Sequence, residues 1–153
     1  IDLCWRMQRA GYLIYAVGES HVYHLGGGTL DKLSPKKTFL NFRNNLLLLT
    51  KNHPSEKFIL RMTQKLFLDA VAGIKFLSEG KIHHFFAVFK AHLSFYSNLS
   101  KFLKIRRQLK QEFTNEKISG IYSSSIAKDF FLLKKKKYSD LSSSLFSQRF
   151  GNK

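Results

Sequence analysis

The chain has one cysteine, Cys4, and ten acidic residues against 26 lysines and arginines. A single thiol closes no internal disulfide and makes no two-cysteine metal knuckle, a usage that suits a reducing compartment. Cys4 itself reads as a small buried helix residue. No apolar stretch reaches the roughly 18 residues a bilayer span requires, because Asp69, Lys75, Lys90 and their neighbours interrupt each run. Helices of this chain can therefore lie on a membrane but are not expected to cross it. There is no internal repeat of solenoid length and no recognised nucleic-acid reader motif. Initiator methionine, charged n-region, apolar h-region and cleavage site are all missing from the opening residues, so a piece of a longer protein is expected.

What is present is enough for one ordinary domain: 153 residues, 44% of them hydrophobic. The formal charge of +16 is unevenly placed. Residues 1–34 are neutral overall, residues 35–118 carry +11 and residues 119–153 carry +5. A face of that sign attracts anionic lipid, nucleic acid or phosphorylated substrates, and charge alone does not choose among them.

Along the chain, Leu3, Met7 and Ala10 recur at helical spacing behind Asp2, whose charge suits a helix N-terminus, and Gly11 ends that helix as a C′ residue. Residues 12–17 are aromatic and β-branched, residues 18–20 read as a turn, and residues 21–24 read as a second short strand. Ser34 and Pro35 open a helix over residues 35–51, Ser as N-cap and Pro at the first helical position. After the break at residues 52–55, Ser55 is the expected cap of a helix with Phe58, Ile59, Met62, Leu66, Phe67, Val71, Ile74 and Leu77 on a broad apolar face. Lys57, Arg61, Lys65 and Asp69 form its polar stripe. Ile82, Phe85, Phe86, Phe89, Leu93 and Tyr96 then line one face of an amphipathic helix. Residues 98–111 are expected to continue as a basic helix, with Lys101, Lys104, Arg106, Arg107 and Lys110 set against its apolar side. Residues 119–153 form a Ser/Lys-rich tail with one short helix around Phe130 to Leu133, loose over its last ten or so residues.

The stretch Val22-Tyr23-His24-Leu25-Gly26-Gly27-Gly28-Thr29 places a cation ligand beside backbone able to wrap an anion. Consecutive glycines take φ > 0 without a Cβ penalty, so their N–H groups can converge on a phosphate, and Thr29 adds a hydroxyl donor.

Asp2-Leu3-Cys4-Trp5-Arg6, then Gly11-Tyr12, the strand, Val22-Tyr23-His24 with its glycine loop, Ser34-Pro35 and Asn41-Phe42-Arg43-Asn44-Asn45 form an ordered set. That set resembles the C-terminal part of bacterial family 2 glycosyltransferases, inverting enzymes of the GT-A fold that include rhamnosyltransferase-like proteins. The likeness is specific as far as about Leu49 and looser beyond. It implies a chain that is mainly α with a short β unit near the N-terminus. On this reading residues 1–34 close an α/β GT-A catalytic domain, residues 35–118 are basic amphipathic helices and residues 119–153 are the tail. The family's general base and its Asp-x-Asp metal motif belong before Ile1, so the chain alone is expected to be inactive.

The resemblance also implies roles. Asp2 and Arg6 support the base, and His24 is a ligand for a divalent cation, Mg²⁺ or Mn²⁺, or for the diphosphate. Gly26, Gly27, Gly28 and Thr29 pass beside the donor diphosphate. Trp5, Arg43 and Asn44 lie on the acceptor side. The donor is a nucleotide-sugar, the acceptor a glycan or lipid-linked glycan of cell-surface polysaccharide, and the site of action the inner face of a bacterial membrane with the enzyme peripheral on its cytoplasmic side. The leaving group's charge needs a Lewis acid and oriented N–H donors, and an imidazole suits Mn²⁺ better than Mg²⁺. Each residue also has a structural alternative: Asp2 as a dipole partner, Trp5 as core, Arg43 and Asn44 as a capping and packing pair. His83, His84 and His92 have no partner pattern and read as surface or interfacial residues. Two rival classes are a basic helical nucleic-acid-binding protein, disfavoured by the neutral first 34 residues, and a membrane-surface adaptor without chemistry. The broad apolar faces can bury against one another, against a partner subunit in an oligomer, or in lipid.

Overall fold

Helix takes 71% of the structure, a computed structural model in which residues 1–15, 17–23, 34–53, 57–113 and 118–147 are described. The helices are α1 (Asp2–Arg9), α2 (Pro35–Asn52), α3 (Phe58–Ser78), α4 (Ile82–Glu112) and α5 (Ile126–Phe131). They fall into two compact units. One holds Leu3–Ile14 with the C-terminal segment from Phe113; the other holds Asp2 with Tyr15–Glu112.

The described residues of the expected strands, 12–15, 17 and 21–23, are not strands. Residues 12–15 and 17–23 have no strand pairing, and Tyr12, Leu13, Tyr15, Val22 and Tyr23 stand exposed. Ala16 and His24 lie outside the described residues. The turn between the two segments does form, Ser20 N donating to Val17 O at 3.1 Å. Strand propensity measures fit to a half-buried pleated surface, and a lone hairpin is marginal in water. With no described strand alongside, aromatic and β-branched composition is insufficient.

In the helical unit α2 packs chiefly on α4, and α3 on both. The core is Leu46, Ala87, Val88, Ala91 and Phe95. Alanines at 87 and 91, one helical turn apart, present a small surface to α2, whose Leu46 is fully buried. Ser34 sits at the N-cap of α2 without a side-chain capping bond, while Pro35 takes the first helical position. Cap formation by Ser55 falls outside the described residues, and α3 begins after Lys57. Residues 82–112 form one helix, the basic stretch from Asn98 continuing it as expected, about 46 Å long at 1.5 Å per residue. Neither Pro nor Gly interrupts it, so a change in surface charge alone does not end it.

Two helices turn apolar residues outward. On α4 the aromatic stripe Ile82, Phe86, Phe89, Leu93 and Tyr96 is exposed, and the neighbouring Ala and Val face is the buried one. On α3 the polar stripe runs from exposed Lys57 to buried Asp69, 2% exposed, whereas Ile59 is 78%, Phe67 68% and Ile74 65% exposed. Asp69 has ready partners, the ammonium of Lys65 and His92 Nε2 at 3.2 Å. Of the two readings left for His92, surface or interfacial, the second therefore holds, and so it does for His84, whose Nδ1 shares a hydrogen bond with Thr38 Oγ1 at 2.8 Å. Arg106, one of the basic residues set against the apolar side of residues 98–111, is buried.

In the other unit Gly11 ends α1 at φ +97°, with Gly11 N bonded to Gln8 O at 3.1 Å and Tyr12 N to Met7 O at 3.0 Å. This double bond is the Schellman arrangement, which only a left-handed residue completes. Cys4 is exposed, not buried, because the short helix leaves its side uncovered. The C-terminal segment folds on itself as far as it is described: Tyr122 and Phe146 form an antiparallel bridge with rings 4.9 Å apart, and Ser125 Oγ caps α5 by accepting from Lys128 N at 3.3 Å. Gln8 Oε1 accepts from Ser119 N at 2.8 Å, tying α1 to this segment.

Candidate functional site

His24, Gly26, Gly27, Gly28 and Thr29, the expected metal and diphosphate residues, lie outside the described residues. The others are placed as follows. Asp2, the first residue of α1, accepts from Lys51 Nζ at 2.9 Å and from Asn52 Nδ2 at 2.7 Å. Its carboxylate is thus held by the end of α2. Trp5 is half-buried and Arg6 exposed, the latter in the last turn of α1 where a cation suits the dipole. Arg43 Nε and Nη2 donate to Asn44 Oδ1 at 3.1 and 2.9 Å, and the guanidinium lies 5.0 Å over the Phe39 ring. Arg43 and Asn44 are thus brought together, engaged with one another and with α2's own surface. Among the described residues no group of three His, Cys, Asp or Glu is placed to hold a metal ion.

Three clusters went unforeseen. Arg106 Nη1 donates to Thr50 O at 3.0 Å and His53 O at 2.6 Å, and its guanidinium stacks 4.3 Å over Phe58. One cation thereby meets the carbonyls at the end of α2 and fixes the start of α3. Lys65, Asp69 and His92 join α3 to α4, with Lys65 Nζ 5.0 Å over the Phe42 ring of α2. Tyr122, Asp129 and Lys135 form the third: Tyr122 Oη donates to Asp129 Oδ2 at 2.5 Å and Lys135 Nζ to Oδ1 at 3.3 Å. The hydroxyl of Tyr122, with the Lys135 and Lys128 charges, holds the Asp129 carboxyl below its usual range against the opposing effect of burial. The same carboxylate, together with burial, pushes the Tyr122 phenol up. Only the Lys65 and Asp69 spacing of four was a local signal; the other partners lie far apart in sequence or on opposite sides of a turn.

Between α3 and α4 runs an apolar groove of about 440 Å³ with Asp69 and His92 in its lining and Phe89, Leu93 and Tyr96 along its rim. A second groove, about 560 Å³, lies between the start of α2 and α4. No helix among the described residues is long and apolar enough to cross a membrane. Comparison with known proteins gives no matching family model, curated protein or solved structure.

Proposed function

We propose that this chain is the closing part of an inverting nucleotide-sugar glycosyltransferase and that its helical unit seats the enzyme on an anionic membrane surface. The enzyme half of the reading rests on the ordered residues from Asp2 to Asn45. On it, His24 and the Gly26 to Thr29 loop serve the donor diphosphate and its Mg²⁺ or Mn²⁺. Asp2 and Arg6 support the base, and Trp5, Arg43 and Asn44 face a lipid-linked acceptor.

The membrane half rests on one observation: the apolar faces of α3 and α4 point outward in a segment carrying +11. Exposed apolar surface of this extent marks an interaction site. Aromatic and aliphatic side chains beside lysines are the composition of helices that lie in the headgroup layer.

Flotation of the chain with phosphatidylglycerol and with phosphatidylcholine vesicles tests this half. Binding to the anionic vesicles is expected; recovery of all protein at the bottom of the gradient with both would overturn it. For the enzyme half, sugar transfer in the whole enzyme should fall in His24→Ala, and activity equal to the parent would remove the metal or diphosphate role. Residues 1–153 alone should transfer no sugar.

A further inference from the structure

We infer that the groove between the start of α2 and α4 is a seat for one anionic phospholipid, its phosphate held between Lys36 and Lys90 and its first hydrocarbon segment laid on Phe39, Phe86 and Ala87. This names the lipid contact of the proposed membrane-facing unit and rests on that reading. The groove encloses about 560 Å³, within the range of about 300–1,000 Å³ common to small-ligand sites. Positions 83, 86, 87 and 90 of α4 fall on one face, and Lys36 and Phe39, three apart on α2, stand opposite. The walls are apolar with cations at the edge, the layout an amphiphile with a negative head requires.

Charge complementarity favours this occupant. Neither Lys36 nor Lys90 has an ion pair or side-chain hydrogen bond among the described residues, both are exposed, and no carboxylate lines the groove. Four other lysines of the unit are engaged, Lys51 by Asp2, Lys65 by Asp69, Lys75 and Lys81 by Glu79, while Lys101 and Lys104, exposed like Lys36 and Lys90, line neither groove. His83, also exposed in the lining, adds a ring N–H donor. Continuity with the outward aromatic stripe is the second argument. Phe86 belongs both to the groove and to the row Ile82, Phe86, Phe89, Leu93 and Tyr96, so a helix lying in the headgroup layer by that row brings the groove to the depth of the lipid phosphates. A nucleic-acid phosphate would match the lysines but would leave the phenyl floor without an apolar partner.

The test compares two charge-matched variants of the full chain, Lys36→Gln/Lys90→Gln and Lys101→Gln/Lys104→Gln, the second pair lying on exposed positions of α4 away from the groove. Far-UV circular dichroism checks that both keep their helices. With phosphatidylglycerol vesicles, affinity of the first is expected to fall at least about tenfold further than that of the second, a difference of about 1.4 kcal/mol. Soluble dihexanoyl-phosphatidylglycerol should shift the amide resonances of Phe39, Phe86 and Ala87, while glycerol phosphate without chains should not. Equal losses in the two variants with parent binding intact would overturn the seat and leave the membrane reading standing. Failure of the parent chain to bind vesicles would overturn the membrane reading, and the resonance titration would then decide the seat separately. Displacement of the short-chain lipid by duplex DNA at low molar excess would also overturn it.

Discussion

Arg106 lies 7% exposed against the end of α2, and its charge is tolerable there because two backbone carbonyls and a phenyl face surround it. Removing it leaves the carbonyls of Thr50 and His53 without that donor. Hydrogen bonds to charged groups contribute about 1.5–3 kcal/mol, so Arg106→Ala should lower the unfolding free energy by roughly that amount in urea titration. Arg106→Lys should recover only part, since an ammonium lacks the planar fork and stacks less well. The Tyr122 and Asp129 pair carries a pH prediction. Asp129 has a depressed folded pKa, so its contribution is present above the unfolded value of about 3.9 and lost as pH falls through the folded one. Tyr122 has a raised folded pKa, so its contribution is present below about 10 and lost as pH rises through the folded one. The C-terminal unit should therefore loosen at both ends of that window. In Asp129→Asn the phenol should titrate closer to its ordinary value, read by ultraviolet absorbance of tyrosinate, and an unmoved titration would contradict the pairing.

At the scale of the element, α3 is the instructive case. Gly73 sits in the inward stripe, where an added Cβ would meet Phe85 Cδ2 at 3.5 Å, an ordinary contact distance. Gly73→Ala should accordingly stabilise the helix, by up to about 1 kcal/mol, measured by thermal melting. Phe67→Ser/Ile74→Ser changes two outward residues that are 68% and 65% exposed. Stability should move by no more than about 0.5 kcal/mol per site. Vesicle affinity should fall more than about tenfold, since burying such a side chain is worth about 1.5–3 kcal/mol.

The helices of this unit were legible in the sequence from their periodicity, Pro35 and the breaks near residues 53 and 80. The stop at Gly11 was legible too, because a glycine directly after a helical stretch has few other uses. Which way a two-sided helix turns was not. The choice on α3 depends on Asp69 finding His92, 23 residues on, and on Phe85 reaching Gly73, neither of which is a local property. Similarly, the bonds holding Asp2 come from Lys51 and Asn52, 49 and 50 positions away, while Arg43 and Asn44, adjacent in sequence, could be read as a pair. The strand assignment for residues 12–17 failed for the converse reason: composition there was informative, but a strand needs a neighbour.

For the molecule as a whole, +16 on 153 residues sets a long-range attraction and the outward faces of α3 and α4 set a short-range one. The two respond differently to salt. Screening shortens the Debye length from about 10 Å at 0.1 M to about 3 Å at 1 M, so capture of the chain by an anionic surface should slow steeply over that range. Apolar insertion has no such dependence, and sulfate or phosphate strengthens it. Stopped-flow mixing with phosphatidylglycerol vesicles should therefore show an association rate that falls with sodium chloride and a dissociation rate that changes little. For Phe67→Ser/Ile74→Ser the pattern should reverse, with association near that of the parent and dissociation faster. A protein held by charge alone would instead dissociate faster as salt is added, and the variant would release at the parent's rate. The outward apolar faces would then have to be covered by protein rather than lipid.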